Sequence, residues 1–292
     1  MRITQRAVTL TSLQGLNRNL DALGKLQQQL TSGKAISRPS DSPTGTNTAM
    51  QTRTEQASVA QQARNVTDAK SWLEQGSSTL MEMMDVVKRV RNLTLQGNNA
   101  ASSPASQQAL AIEVASLRDG LLNMANTKVM GRPLFGGVTA GDAAYGPAGN
   151  YVGDDRAEVL RRVSDSELLR VDLTGPEAFG TGANDLFAVV GRIATDLTTN
   201  VPGLDADLGA LDAVFEKMTG ALADIGARGA RLDQAEQVNA DRQITLRKQL
   251  GAAEDIDLPK TIMDVQMRQM GYEAALAATA KSISPTLLDY LR

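Results

Sequence analysis

A mainly α-helical protein is predicted: a long antiparallel helical rod, a coiled-coil-like bundle of N- and C-terminal helices, with a small β domain inserted near its middle. Three features of the 292-residue sequence predict it. Apolar residues recur at threes and fours over long stretches towards both ends. Aromatic residues make up only 3% of the chain, which suits the thin seam of a bundle better than the core of a globular enzyme. Glycines and most of the few aromatics crowd instead into one central stretch.

The first amphipathic helix spans residues 5–31. Leu13, Leu16, Leu20, Leu23 and Leu30 mark its stripe, and Leu10 and Leu26 widen it. "TSGK" ends it, because Gly33 suits a C-terminal cap and Lys34 sits near the negative helix end. A second helix begins at Ser42-Pro43: a residue before proline is biased to the extended geometry of an N-cap, and proline suits the first helical turn. From there to about Asn98 no proline interrupts, and Val66, Ala69, Leu73, Gly76, Leu80, Met83, Val87 and Val90 form a heptad seam. A helix of about 50 residues would be roughly 75 Å long, an element without use in a globule. "GNNAASSP" breaks it, and Ser103-Pro104 caps the next helix, which runs to about Ala125 through Leu110, Val114, Leu117 and Leu121.

From Gly131 to Phe187 the composition changes. Five of the nine aromatics fall here, and "AEVLRRVSDSELLRVDLTG" has short apolar runs between turn residues, as expected of strands. Helical pattern returns near 184 and, after "NVPG", near 205. A last helix starts at "DIDLP", with Ile262, Val265, Tyr272, Leu276 and Ile283 on one seam and Met263, Met267 and Met270 beside it. The expected organisation is nested: 1–42 with 255–292 as a terminal helix pair, 43–133 with 184–254 as a helical rod, and 134–183 as an inserted β domain.

Composition narrows the function. With no cysteine, disulfides and thiolate metal sites are excluded, and with no histidine the commonest general base and zinc ligand are missing. The net charge of −3 gives no strong pull towards nucleic acid or membrane, and no run of about 18 apolar residues suggests a membrane span. The start has no apolar core of a secretory signal. It is basic and acid-poor, as an organelle transit peptide is, but the leucine stripe running on to Leu30 places it in the mature structure.

Local motifs have structural readings. "SGK" lacks the first glycine of a phosphate loop, and Ala35 stands where a hydroxyl residue belongs. Ser42-Pro43 fits an N-cap better than a phosphorylation site. Asp255, Asp257 and Asp264 match no calcium loop, and Asp257 before "LP" is a good N-cap. The methionines at 81, 83 and 84 and at 263, 267 and 270 are either core filling or an adaptable partner-binding face.

Five segments, in order, are similar to the flagellin superfamily: "LTSGKAISRPSDSPTG", "RVRNLTLQGNNA", "NMANTKVMGRPLFGG", "GARGARLDQAEQ" and "LAATAKSISPTLLDYLR". "SRPSDSP", "YVGDD" and "VDLTGPEAFG" resemble the branch of that superfamily found at the hook–filament junction, although Ser42 stands where a second aspartate is expected. The resemblance implies an extracellular structural protein of the bacterial flagellum, neither an enzyme nor a cofactor carrier. It would leave through the flagellar type III export apparatus without a cleaved signal. It implies self-assembly into a ring or helical array, contact with the first hook–filament junction protein and with flagellin, and a cytosolic export chaperone for which Met263, Met267 and Met270 are candidates. Nucleic acid and membrane are not expected partners. The expected assembly interface comprises Leu13, Leu16, Leu20, Leu23, Leu30, Ile262, Val265, Tyr272, Leu276, Ile283 and Leu287, unpaired in a monomer. Gly33, Pro39, Ser42 and Pro43 form the expected hinge. A short filament flagellin is the alternative, and a coiled-coil signalling or scaffold protein a more distant one.

Overall fold

The computed structural model describes residues 2–99 and 103–283 and, for side chains, residues 7, 10–99 and 103–280. Four long helices dominate: α1 (Arg2–Ser32), α2 (Pro43–Gly97), α6 (Leu204–Glu254) and α7 (Leu258–Ile283). Between α2 and α6 lie α3 (Pro104–Ala125), two hairpins, the short α4 (Gly175–Phe179) and α5 (Leu186–Thr199). The hairpins are β1 (Lys128–Val129) with β2 (Arg132–Pro133), and β3 (Leu160–Arg162) with β4 (Leu168–Arg170), both antiparallel. The chain divides into a terminal unit, residues 1–58 with 243–292, and a central unit, residues 59–242. Both α2 and α6 contribute to each.

The central unit holds the main core. All eight residues of the α2 seam from Val66 to Val90 are buried. All but Gly76 share one apolar cluster with Leu110, Val114 and Leu121 of α3, with Val190, Ile193 and Leu197 of α5, and with Leu211, Val214 and Met218 of α6. The shortest of these helices, α5, packs along α3. Helix starts are held by side-chain oxygens: Ser103 Oγ accepts from Ser106 N (3.2 Å) and Asp185 Oδ1 from Ala188 N (2.8 Å).

The stretch 134–183 holds one of the two small sheets; the other hairpin precedes it, turning through Met130 (φ 51°) and Gly131 (φ 79°). Backbone bridges such as Gly137 with Asp154 and Tyr145 with Tyr151 order it together with its side chains. Phe135 meets Phe179 edge-on at 5.0 Å, and Tyr145 lies 4.6 Å from Phe187 and 5.4 Å from Tyr151. These rings join the same cluster as the helices, so the segment closes the helical core rather than building a second one. Polar side chains tie the loops down. Asn126 accepts from Ala144 N and Tyr145 N and donates to Tyr145 O. Arg118 donates to Phe187 O (3.0 Å) and Ala148 O (2.7 Å). Gly137 has φ +65°, and a Cβ there would lie 2.1 Å from Asp154 O, so the position accepts glycine alone.

Candidate assembly interface

The terminal unit is built on α1 and α7. The end of α1 meets the start of α7 through an antiparallel bridge between Lys34 and Asp255, and the two helices then run antiparallel against each other. This corrects the expectation that the terminal helices are unpaired in a single chain: each has the other as a partner, because neither amphipathic helix buries its stripe alone.

The pairing covers only part of the apolar surface. Leu16 is 8% exposed, and Leu23, Leu30, Val265 and Tyr272 are half-buried. Leu13 and Leu20 are each 49% exposed, Ile262 41% and Leu276 44%. The side chain of Ile283 and all of Leu287 lie outside the described residues. At about 100° per residue, Leu13 and Leu20 flank the covered stripe of α1 on one side, and Ile262 and Leu276 flank that of α7. In an antiparallel pair these two flanks fall on the same side. The other side holds a cleft of about 500 Å³ with a mixed lining: Asn19, Lys25, Leu26 and Gln29 of α1, and Asp264, Met267 and Arg268 of α7. Met263, Met267 and Met270 are 58–64% exposed. Relative to buried Thr261 and half-buried Val265 and Tyr272, Met263 and Met270 occupy the far face of α7, and Met267 lies between that face and the cleft. Among the described residues the terminal unit therefore shows two apolar surfaces that the chain itself leaves open.

The joint between α1 and α2 is held at several points. Gly33 takes φ +71°, the left-handed cap expected of it. Ser42 Oγ accepts from Gly45 N (3.1 Å), so Ser42 is the N-cap of α2, while Asp257 Oδ1 accepts from Lys260 N (3.2 Å) and caps α7. Between them, Asp41 accepts from Ser37 N and Arg38 N and pairs with Lys25 Nζ at 2.8 Å. The Lys25 hydrogen bond, followed by the Arg38 amide, brings the Asp41 carboxyl down to about 2. Pro39 lies in the turn that Asp41 closes. Glu254, 4% exposed, accepts from Lys34 Nζ (2.9 Å) and Arg53 Nη2 (2.8 Å). Sequence reasoning missed Glu254, Arg53 and Lys25. Local pattern has no means to find the Lys34–Glu254 pair, whose members are 220 residues apart. Among the described residues no group of three or more acidic side chains could hold a metal ion, and no helix is long and apolar enough to cross a membrane.

Residues 3–140 match the family described as the bacterial flagellin N-terminal helical region. The chain is homologous over nearly its whole length to flagellar hook-associated protein 3: that of Salmonella typhimurium is 23% identical, over 97% of this chain and 96% of its own. The flagellin of Bacillus subtilis is 25% identical over the full length of both chains. The flagellar junction protein FlgL of Legionella pneumophila shares the fold, with a TM-score of 0.58 and 16% identity over 71% of this chain and 100% of its own. These relatives are structural components of the flagellum.

Proposed function

We propose that this chain is a structural adaptor of the bacterial flagellum that assembles at the hook–filament junction and connects the hook to the flagellin filament. One observation carries the reading: the similarity to hook-associated protein 3 extends over nearly the whole of both chains. The open apolar flank of the α1–α7 pair supports it, because a single-copy protein gains nothing from leaving Leu13, Leu20, Ile262 and Leu276 in water. On assembly this flank packs against further copies in a ring or helical array. The neighbours are the first hook–filament junction protein on one side and flagellin on the other. The function is mechanical, without catalysis or a cofactor. The chain reaches its place through the flagellar type III export apparatus without a cleaved signal, accompanied in the cytosol by a chaperone that takes the face of Met263, Met267 and Met270, an adaptable apolar surface. Gly33, Pro39, Ser42 and Pro43 let the terminal helices adjust between two lattices.

The similarity to Bacillus subtilis flagellin over its full length favours a second reading, a short filament flagellin. Deletion of the gene and immunogold labelling of intact flagella separate the two. A junction protein gives one band of label between hook and filament, and its loss leaves flagellin secreted but unpolymerised on an intact hook. Label along the whole filament rejects the junction role.

A further inference from the structure

We propose that Glu254 is the latch of the joint in the terminal unit, holding the α1–α7 pair in one setting against the ends of α2 and α6 that belong to the same unit. Three strands of observation meet at this residue. Its carboxylate is almost fully buried, yet both cations that neutralise it are half-exposed: the side chain of Lys34 is 45% and that of Arg53 53% accessible, against 6% for Glu254. Lys34 lies just after α1, Arg53 in the first turns of α2, and Glu254 is the last residue of α6, so one carboxylate ties three separate pieces of chain. The backbone beside it closes in the same place: Ala35 N donates to Glu254 O (2.6 Å), Ile256 N donates to Gly33 O (3.1 Å), and Gln29 Nε2 donates to Ala35 O (2.8 Å).

The connections on either side of this point are short. On one side, only Gly33 to Ser42 separates α1 from α2. On the other, only Asp255 to Asp257 separates α6 from α7. With the latch closed, both connections are pinned to each other. With it open, the backbone bridge of 33–35 with 254–256 has few other bonds to hold it, and the α1–α7 pair can turn about Gly33 and residues 255–257. A buried carboxylate makes a sharp latch because leaving it without a cation is strongly unfavourable, whereas half-exposed cations can be drawn away by solvent salt. The inference holds whichever flagellar component the chain is.

Hydrogen exchange on the full-length monomer tests it, read at the amides of Ala35 and Ile256. In Glu254→Gln the two amides should exchange about tenfold faster, the size expected when a charge-assisted hydrogen bond becomes a neutral one. The double variant Lys34→Met/Arg53→Met keeps the carboxylate but strips both cations, and should accelerate the same amides more than Glu254→Gln does. High salt should move the wild type in the same direction by a smaller factor. Amides in the core of the central unit, such as those of Leu80 and Val114, should be unaffected. Unchanged exchange at Ala35 and Ile256 in both variants overturns the latch. So does equal acceleration in both units, which would make Glu254 a general stability residue, and so does an effect of the double variant smaller than that of Glu254→Gln.

Discussion

Replacing Leu20 and Leu276 together by alanine should leave the monomer nearly as stable as before and impair assembly. Full burial of a leucine side chain is worth about 1.5–3 kcal/mol. Leu20 and Leu276 are 49% and 44% exposed, so roughly half of that, about 1 kcal/mol each, is still to be gained when another copy covers them. The pair of substitutions should therefore weaken each intersubunit contact by about 2 kcal/mol, roughly 30-fold. Leu16 is the control. It is 8% exposed in the single chain, and Leu16→Ala should destabilise the terminal unit itself by about 2–5 kcal/mol. Urea unfolding of the monomer, followed by circular dichroism, measures the first quantity. Filament attachment in cells expressing only the variant measures the second. The reasoning fails if the double variant assembles normally, or if it loosens the monomer as much as Leu16→Ala does.

Gly137→Ala should destabilise the central unit by more than about 2 kcal/mol, from a positive φ and a Cβ driven onto Asp154 O; a thermal midpoint equal to the wild type's would show that the loop can shift freely. Phe179→Ala removes a fully buried ring that touches Phe135, Tyr145 and Phe187, and should cost about 3–5 kcal/mol in denaturant unfolding. The turn at 37–42 should open in acid. Asp41 lies at about 2 in the folded chain against an ordinary 3.8, so its support is complete above about pH 4 and is lost as pH falls towards 2. Exchange at the amides of Ser37 and Arg38, corrected for the intrinsic rate, should rise over that interval, and a flat profile would count against the Asp41 anchor.

Much of the helical fold is legible in the sequence because its determinants are local. The seam from Val66 to Val90 repeats at threes and fours, and every one of its residues is buried. Ser42, Ser103 and Asp257 announce helix starts by residue type, and each accepts the backbone hydrogen bond expected of an N-cap. The central stretch is harder to read. Its short apolar runs resemble strands, but only β3 and β4 form a ladder within 134–183. The stretch is also ordered by isolated backbone bridges, by rings, and by polar staples whose partners lie far along the chain: Arg228 reaches Asp172 O, Asn239 reaches Val163 O, and Arg161 pairs with Asp68. At the candidate interface, leucine spacing identifies the apolar stripe of α1. It cannot tell which leucines face α7, since that depends on a helix more than 220 residues away. Leu16 turns inward while Leu13 and Leu20 stay at the flank, a division that only the pairing decides.

The union of residues 33–35 with 254–256 also closes a very long loop. The central unit is one continuous run, 59–242, and can form as soon as that run is available. The terminal unit needs residues from both sides of it, and its loop of 220 residues closes cheaply only once the intervening chain is compact. A chain broken off before residue 243 could complete the first unit and never the second. The paired face of α1 and α7 would then serve as proof of a finished molecule, so that a growing structure which recruits through it admits intact copies and turns fragments away.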